Sequence, residues 1–151
     1  MYYFVIIIHK DIVTIWTGRR PIMNVSERKI ISTPHAPKAI GPYSQAIQYG
    51  DLLFVSGMIP IDPMTGELVT GNFEAEVVRV LENIKAVVEA SGMNLKNILK
   101  STVYLKDLGN FGKFNEIYGR YFGDVLPARE TVQVAQLPRN VSIEISVICG
   151  K

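Results

Sequence analysis

Two runs near the C-terminus alternate apolar and polar residues with period two, the pattern of a strand with one face buried. In residues 127–135, Val132 and Val134 share one face, while Arg129, Thr131 and Gln133 share the other. In residues 141–147, Val141, Ile143, Ile145 and Val147 point inward, and Ser142, Glu144 and Ser146 point away. Only residues 136–140 separate the runs, short enough for a hairpin, so the pattern predicts antiparallel neighbours. An arginine and a glutamate then stand on the polar side of one ribbon. That suits a site, and it equally suits a solvated sheet face with an ordinary cross-strand pair.

Further upstream the period changes. Val77, Leu81, Ile84 and Val88 recur at helical spacing, and Val80 and Val87 widen the stripe. Asn72 suits the N-cap, Glu74 and Glu76 suit the positive end of the helix dipole, and Gly92 suits the stop. A second helix, opened by Asn110 and closed by Gly123, carries an aromatic stripe of Phe111, Phe114, Tyr118 and Tyr121 that reads as core packing. Short strands are expected at residues 29–32, 45–49, 52–55 and 98–105, with Gly50-Asp51 as a hairpin turn and Ser56-Gly57 ending a strand. Pro34, Pro37, Gly41 and Pro42 make a stiff irregular loop, and residues 59–66 must be turns. The order β, ββ, α, β, α, ββ predicts an α+β domain with both helices on one face of a mixed sheet. The opposite face then needs a cover, for which another copy of the chain is the natural candidate.

Composition narrows the function classes. A chain of 151 residues with 48% hydrophobic and 20% charged residues reads as one globular domain with a real core. Its net charge of +2 resides in residues 1–22, where Lys10, Arg19 and Arg20 outnumber Asp11. The remaining body is neutral and has no Lys/Arg cluster, so it lacks the electrostatic footprint of a nucleic-acid binder. The lone Cys149 excludes an internal disulfide, fits a reducing, cytoplasmic compartment and reads as a small buried hydrophobe. With only His9 and His35 beside it, no metal site is expected. The apolar run from Tyr2 to Ile8 is too short to span a bilayer and lacks the flanks of a secretory signal. A chain of ordinary pattern begins just after Met23, so residues 1–24 read as an N-terminal extension to a domain at residues 25–151. The extension is either an over-called start, with Met23 as the alternative, or an extra apolar strand covering an edge.

Several stretches taken together resemble the reactive intermediate deaminase family (Rid, YjgF-like; also called the L-PSP endoribonuclease family). They are Gly41-Pro42-Tyr43-Ser44-Gln45-Ala46, Ser56-Gly57-Met58-Ile59-Pro60, the helix through residues 83–92, Thr102-Val103-Tyr104-Leu105-Lys106-Asp107, Phe114-Asn115-Glu116-Ile117-Tyr118, Pro127-Ala128-Arg129 and Ile143-Glu144-Ile145. Each is weak alone; in this order they are specific, and they run from about Ile30 to the C-terminus. The resemblance implies a chorismate-mutase-like α+β protomer, a homotrimer with sites at subunit interfaces, and no cofactor. It implies hydrolysis of 2-imino acids, or their enamine tautomers, to 2-oxo acids and ammonia. Carried over position by position, the catalytic residues are Glu144, Arg129 and Tyr43, and Ser56, Asn115 and Thr131 join Arg129 and Tyr43 around the substrate. Thr131 stands where many deaminating members have cysteine, and Met58 where many have glutamine.

The residue types suit that chemistry. An arginine grips a carboxylate bidentately, as a lysine does not. A glutamate can orient or deprotonate water and relay its proton to the departing nitrogen. Imine hydrolysis needs positioning and one proton relay, not a covalent nucleophile. Plainer readings stand beside these: Tyr43 packing a turn, Ser56 ending its strand, Asn115 as a solvated helix residue, and Thr131 as a pleat residue. Two other functions share the scaffold, a non-catalytic small-acid binder that needs no Glu144 and a ribonuclease or chaperone-like role. The neutral body argues against RNA.

Overall fold

The structure, a computed structural model, describes residues 5–9, 12–16 and 27–151. Val5–His9 (β1) and Ile12–Trp16 (β2) pair antiparallel as a ribbon of their own and join no other sheet. The expected apolar strand therefore does not extend an edge of the main sheet by pairing. Whether the chain starts at Met23 is a matter that lies outside the described residues. Among the described residues, no helix is long and apolar enough to cross a membrane.

Six strands form the main sheet: β3 (Arg28–Ile31), β4 (Ala46–Tyr49), β5 (Leu52–Met58), β6 (Ile98–Leu105), β7 (Ala128–Gln133) and β8 (Ile143–Gly150). Their order is β3-β4-β5-β8-β6-β7. β4 and β5 meet around Gly50-Asp51, with Gly50 at φ 59°, a left-handed conformation that glycine takes without a Cβ clash. β5 does not end at Ser56-Gly57 but continues through a bulge to Met58. The bulge adds a residue to one strand and re-aims the side chains beyond it.

Helix α1 (Phe73–Ala90) follows its sequence pattern closely. The Asn72 side chain accepts a hydrogen bond from the Ala75 amide at 3.2 Å, and Gly92, at φ 81°, stops the helix. Val77, Val80, Leu81, Ile84, Val87 and Val88 are buried against Leu53, Val55, Val103, Ile143, Ile145 and Val147 of the sheet. Each such side chain contributes roughly 1.5–3 kcal/mol when fully buried. Helix α2 (Phe111–Phe122) covers the same face farther along. Asn110 precedes it as expected, but its side chain makes no capping bond. Instead a short 3₁₀ turn over Leu108–Asn110 feeds the helix, and Asp107 caps that turn by accepting from the Gly109 amide at 2.8 Å.

The hairpin expected between residues 127–135 and 141–147 does not form. β6 lies between them, parallel to β7 and antiparallel to β8. Strands joined through a helix return parallel, and α2 is the crossover between β6 and β7. The connection from β7 to β8 then passes the end of β6: the Val134 amide bonds the Leu105 carbonyl, and the Lys106 amide bonds the Ser142 carbonyl. Buried Leu137 anchors this passage against Ile59, Ile61 and Val141. The alternation in β7 is real, but it buries neither face well: within the strand only Thr131 is partly buried, and Val134, just past its end, packs against the Leu137 cluster. Arg129, Thr131 and Gln133 stand opposite Ser101, Val103 and Leu105, which are buried on the helix side. Val132 is on the open side and 44% exposed.

Among the described residues, nothing covers that open side. Ile30, Tyr49, Leu52, Phe54 and Leu99 are exposed on it together with Val132. The face is mixed: its apolar part lies over β3–β5, and Lys100, Thr102 and Glu130 separate that part from Val132.

Candidate functional site

The edge strand β7 and helix α2 position the first group of candidate residues. Arg129 donates through Nη2 to Asn115 Oδ1 at 2.7 Å. Its guanidinium carbon lies 4.8 Å from the centre of the Tyr118 ring, 5.2 Å from that of Phe114 and 5.7 Å from that of Phe111. Three aromatic faces within about 6 Å attract the cation by their quadrupoles without neutralising it. Among the described residues, the ion pairs join Lys100 to Glu130 and Lys113 to Glu74, and Arg129 enters neither. Its neighbour Glu130 points to the other side of the sheet, 2.9 Å from the Thr102 hydroxyl and 3.1 Å from Lys100 Nζ. Those two partners, Thr102 first, hold the Glu130 carboxyl below the usual range. Arg129 thus keeps an uncompensated charge at a fixed place.

Two hydroxyls accompany it. Thr131, two residues along the same side of β7, has a buried Oγ1 with no hydrogen-bond partner. An unpaired buried hydroxyl is costly, so this position is not one that packing alone favours. Beneath the guanidinium, the Tyr118 hydroxyl donates to Ser101 Oγ at 2.8 Å. Burial pushes the Tyr118 phenol's pKa up, against the opposing effects of the Ser101 bond and the Arg129 charge.

The second group belongs to the centre of the sheet. Glu144 stands on β8 opposite Tyr104, on the open side. Its carboxylate occupies the space above Gly57: a Cβ at position 57 would sit 1.8 Å from Glu144 Oε1. Half-burial raises the Glu144 pKa. Ser56, beside Gly57, donates its hydroxyl to the Ser44 carbonyl at 2.7 Å. Tyr43 and Ser44 line a recess of about 390 Å³ with Ile30, Thr33 and Lys38. The Tyr43 hydroxyl accepts from the Ile40 amide at 3.3 Å, so this residue both braces its loop and walls the recess.

The expected residues therefore form two groups. Arg129, Asn115 and Thr131 gather on the helix side of an edge strand. Tyr43, Ser56 and Glu144 are linked through Ser44 and Gly57. The chain does not bring Arg129 to Glu144: β6 separates their strands, and they point to opposite faces. A ribbon carrying both on one side, as the alternation suggested, is overturned by the strand order.

Several contributors escaped the sequence reading. Phe111, Phe114 and Tyr118 form the seat of Arg129, yet aromatics at helical spacing look the same whether they fill a core or carry a cation. Ser101 left a fainter signal, a lone hydroxyl on the face of β6 that otherwise buries Val103 and Leu105. Buried Gln45 was also missed. It accepts from the Thr33 amide at 2.7 Å and donates to the Ala36 and Pro37 carbonyls at 3.1 and 2.7 Å, fixing the loop that precedes Tyr43.

Comparison with known proteins agrees with this architecture. The family model described as "Endoribonuclease L-PSP" matches residues 33–150. A RutC family protein of Saccharolobus solfataricus is 55% identical over 124 residues, covering 82% of this chain and 98% of its own. A Mus musculus protein named 2-iminobutanoate/2-iminopropanoate deaminase is 46% identical over 121 residues, covering 80% of this chain and 90% of its own. The crystal structure of E. coli TdcF with bound serine superposes with a TM-score of 0.78 at 42% identity, covering 82% of this chain and 98% of that one.

Proposed function

The chain belongs to the endoribonuclease L-PSP family, the Rid (YjgF) proteins, and from that premise we propose that it hydrolyses 2-imino acids, or their enamine tautomers, to 2-oxo acids and ammonia. The observation that carries this reading is Arg129, held on three aromatic rings and by Asn115 yet unpaired with any carboxylate among the described residues. Its remaining N–H groups offer the planar fork that a substrate carboxylate fits. That the E. coli relative holds serine, itself a small carboxylate, supports the same reading. So does the name of the mouse relative.

With the carboxylate on Arg129, the neighbouring C=N carbon is the electrophile. Glu144, its pKa raised by partial burial, is suited to take a proton from water as the oxygen bonds to that carbon. The imine enters protonated on nitrogen, so addition of the water oxygen, with one water proton passing to Glu144, gives a neutral carbinolamine. Glu144 returns that proton to the amino nitrogen, and as the C–N bond breaks the hydroxyl proton passes to the freed carboxylate, leaving the 2-oxo acid and ammonia. Tyr43 walls the site and offers a hydroxyl; Ser56, Asn115 and Thr131 supply polar contacts. No cofactor enters this scheme.

Because Arg129 and Glu144 lie on opposite faces of one protomer, the proposal includes a homotrimer. In it the Arg129 edge of one protomer meets the open sheet face of the next. Exposed Ile30, Leu52 and Phe54 on that face support such a packing. The test is ammonia release from a 2-imino acid generated in situ by an amino-acid oxidase, with the solution mass measured in parallel. Accelerated release by a trimer is expected. Carboxylate binding without release would favour the non-catalytic binder, and a fully active monomer would defeat the shared site.

A further inference from the structure

We infer that Tyr118, tied by its hydrogen bond to Ser101, is a positioning residue that fixes the Arg129 guanidinium for a ligand carboxylate. The inference rests on the reading of Arg129 as the carboxylate holder and goes beyond it. β7 is an edge strand, and most of its residues are exposed. An arginine there loses rotamer freedom on binding unless it is already held. Tyr118 is the nearest of the three rings beneath it. Ser101, the partner of the Tyr118 hydroxyl, is the residue directly opposite Arg129 across the β6–β7 ladder. One buried bond thus docks α2 onto the sheet at the row from which Arg129 projects.

The aromatic column makes that docking stiff. Tyr118 packs on Phe114 at 5.2 Å and on Phe122 at 4.3 Å between ring centres, so its ring cannot tilt without moving the helix interior. Asn115, next to Phe114 in α2, receives the Arg129 hydrogen bond, so its distance from the guanidinium depends on the same docking. Stability alone does not call for the polar pair. Ser101 is buried on the same face of β6 as Val103 and Leu105, and Tyr118 packs in the core with Phe114, a setting in which replacing both partners by apolar groups can be nearly neutral. What a satisfied buried pair adds is one specified geometry.

The experiment compares Tyr118→Phe, Ser101→Ala and the double variant with the wild type, by thermal unfolding, by calorimetric binding of pyruvate, and by kcat and KM for imine hydrolysis. Each single variant strands a buried hydroxyl and should lower the Tm by several degrees, about 4 °C or more. The double variant strands none and should recover most of that loss. All three variants should nevertheless bind pyruvate about fivefold to tenfold more weakly, matching the worth of one hydrogen bond, with the loss in KM rather than kcat. A double variant that recovers both its Tm and the wild-type affinity for pyruvate overturns the inference, because a merely structural pair predicts that. If a single variant fails to fold, the double variant alone decides. The binding arm needs no turnover, so failure of the deaminase reading and failure of this inference are separate results.

Discussion

The two halves of the proposed site are held by opposite means. Glu144 sits on β8, hydrogen-bonded on both flanks by β5 and β6, and its alternate residues Ile143, Ile145 and Val147 are buried under the helices. Its position is fixed by register, and its side chain is shaped by the missing Cβ of Gly57. Arg129 sits on an edge strand that buries little of itself, and side chains fix it: three rings and an asparagine, all from α2. The difference suits the two tasks. A proton carrier profits from partial burial that shifts its pKa, whereas a carboxylate holder must keep its charge exposed to an incoming ligand.

The largest effects should separate the halves kinetically. Glu144→Gln keeps shape and hydrogen bonding but cannot accept the proton, so kcat should fall by about 10²–10⁴ while pyruvate still binds. Arg129→Ala should lose about 2–5 kcal/mol of carboxylate binding, and Arg129→Lys should restore little of it, since a point charge does not reproduce the fork. Steady-state kinetics beside calorimetry checks both. Mixing the two inactive variants, unfolding them together and refolding sharpens the comparison. If Arg129 and Glu144 meet only across protomers, about a quarter of randomly assembled sites regain both residues. A mixture as inactive as its parents would place both in one protomer and sink the shared site.

The sequence made one half more legible than the other. α1 could be read residue by residue, because a stripe at helical spacing has one sensible burial and Asn72 and Gly92 mark its ends. The buried alternation of β8 was equally plain. β7 was misplaced because period two states which residues share a face and says nothing of which strand is the neighbour. Linker length alone suggested a hairpin; buried Leu137 and the α2 crossover decided otherwise. Arg129, Asn115, Thr131, Tyr43, Ser56 and Glu144 were reached through family motifs, but not the separation of Arg129 from Glu144. Nor was the seat of Arg129, for Phe111, Phe114 and Tyr118 satisfy a core pattern whether or not a cation lies on them. The glycine beneath Glu144 was read as a strand end, although it marks a close approach.

That glycine offers the next test. Gly57 is not in a left-handed conformation, so alanine can adopt its backbone without strain. The new Cβ would overlap Glu144 Oε1 and stand 2.8 Å from the carboxyl carbon, so the carboxylate must move. A displacement of about 1 Å at a catalytic group costs on the order of 10²-fold in rate. Gly57→Ala should therefore lower kcat by about 10- to 100-fold and leave pyruvate binding on the Arg129 half intact. Unchanged kcat would show that the position of Glu144 does not matter.

The smallest effect concerns stability and runs against intuition for a carboxylate placed in the site. Half-burial raises the Glu144 pKa above its unfolded value, so the folded chain binds this proton more tightly than the unfolded chain does. Between the unfolded and folded pKa values the native state carries more protons, and unfolding free energy falls as pH rises through that window. The ionised carboxylate thus subtracts stability at neutral pH, and the penalty is relieved as pH falls below the unfolded value. Glu144→Gln has no such group to ionise. Its Tm should equal or slightly exceed that of the wild type at pH 7, and the advantage should shrink as the buffer is taken through the ordinary carboxylate range. Glu130 supplies the control on the opposite sign: Thr102 and Lys100 lower its pKa, so Glu130→Gln should lose stability at pH 7 and converge on the wild type in acid. If Glu144→Gln instead melts earlier at neutral pH, the carboxylate is a structural partner, and the active-site half built around it must be reread as packing.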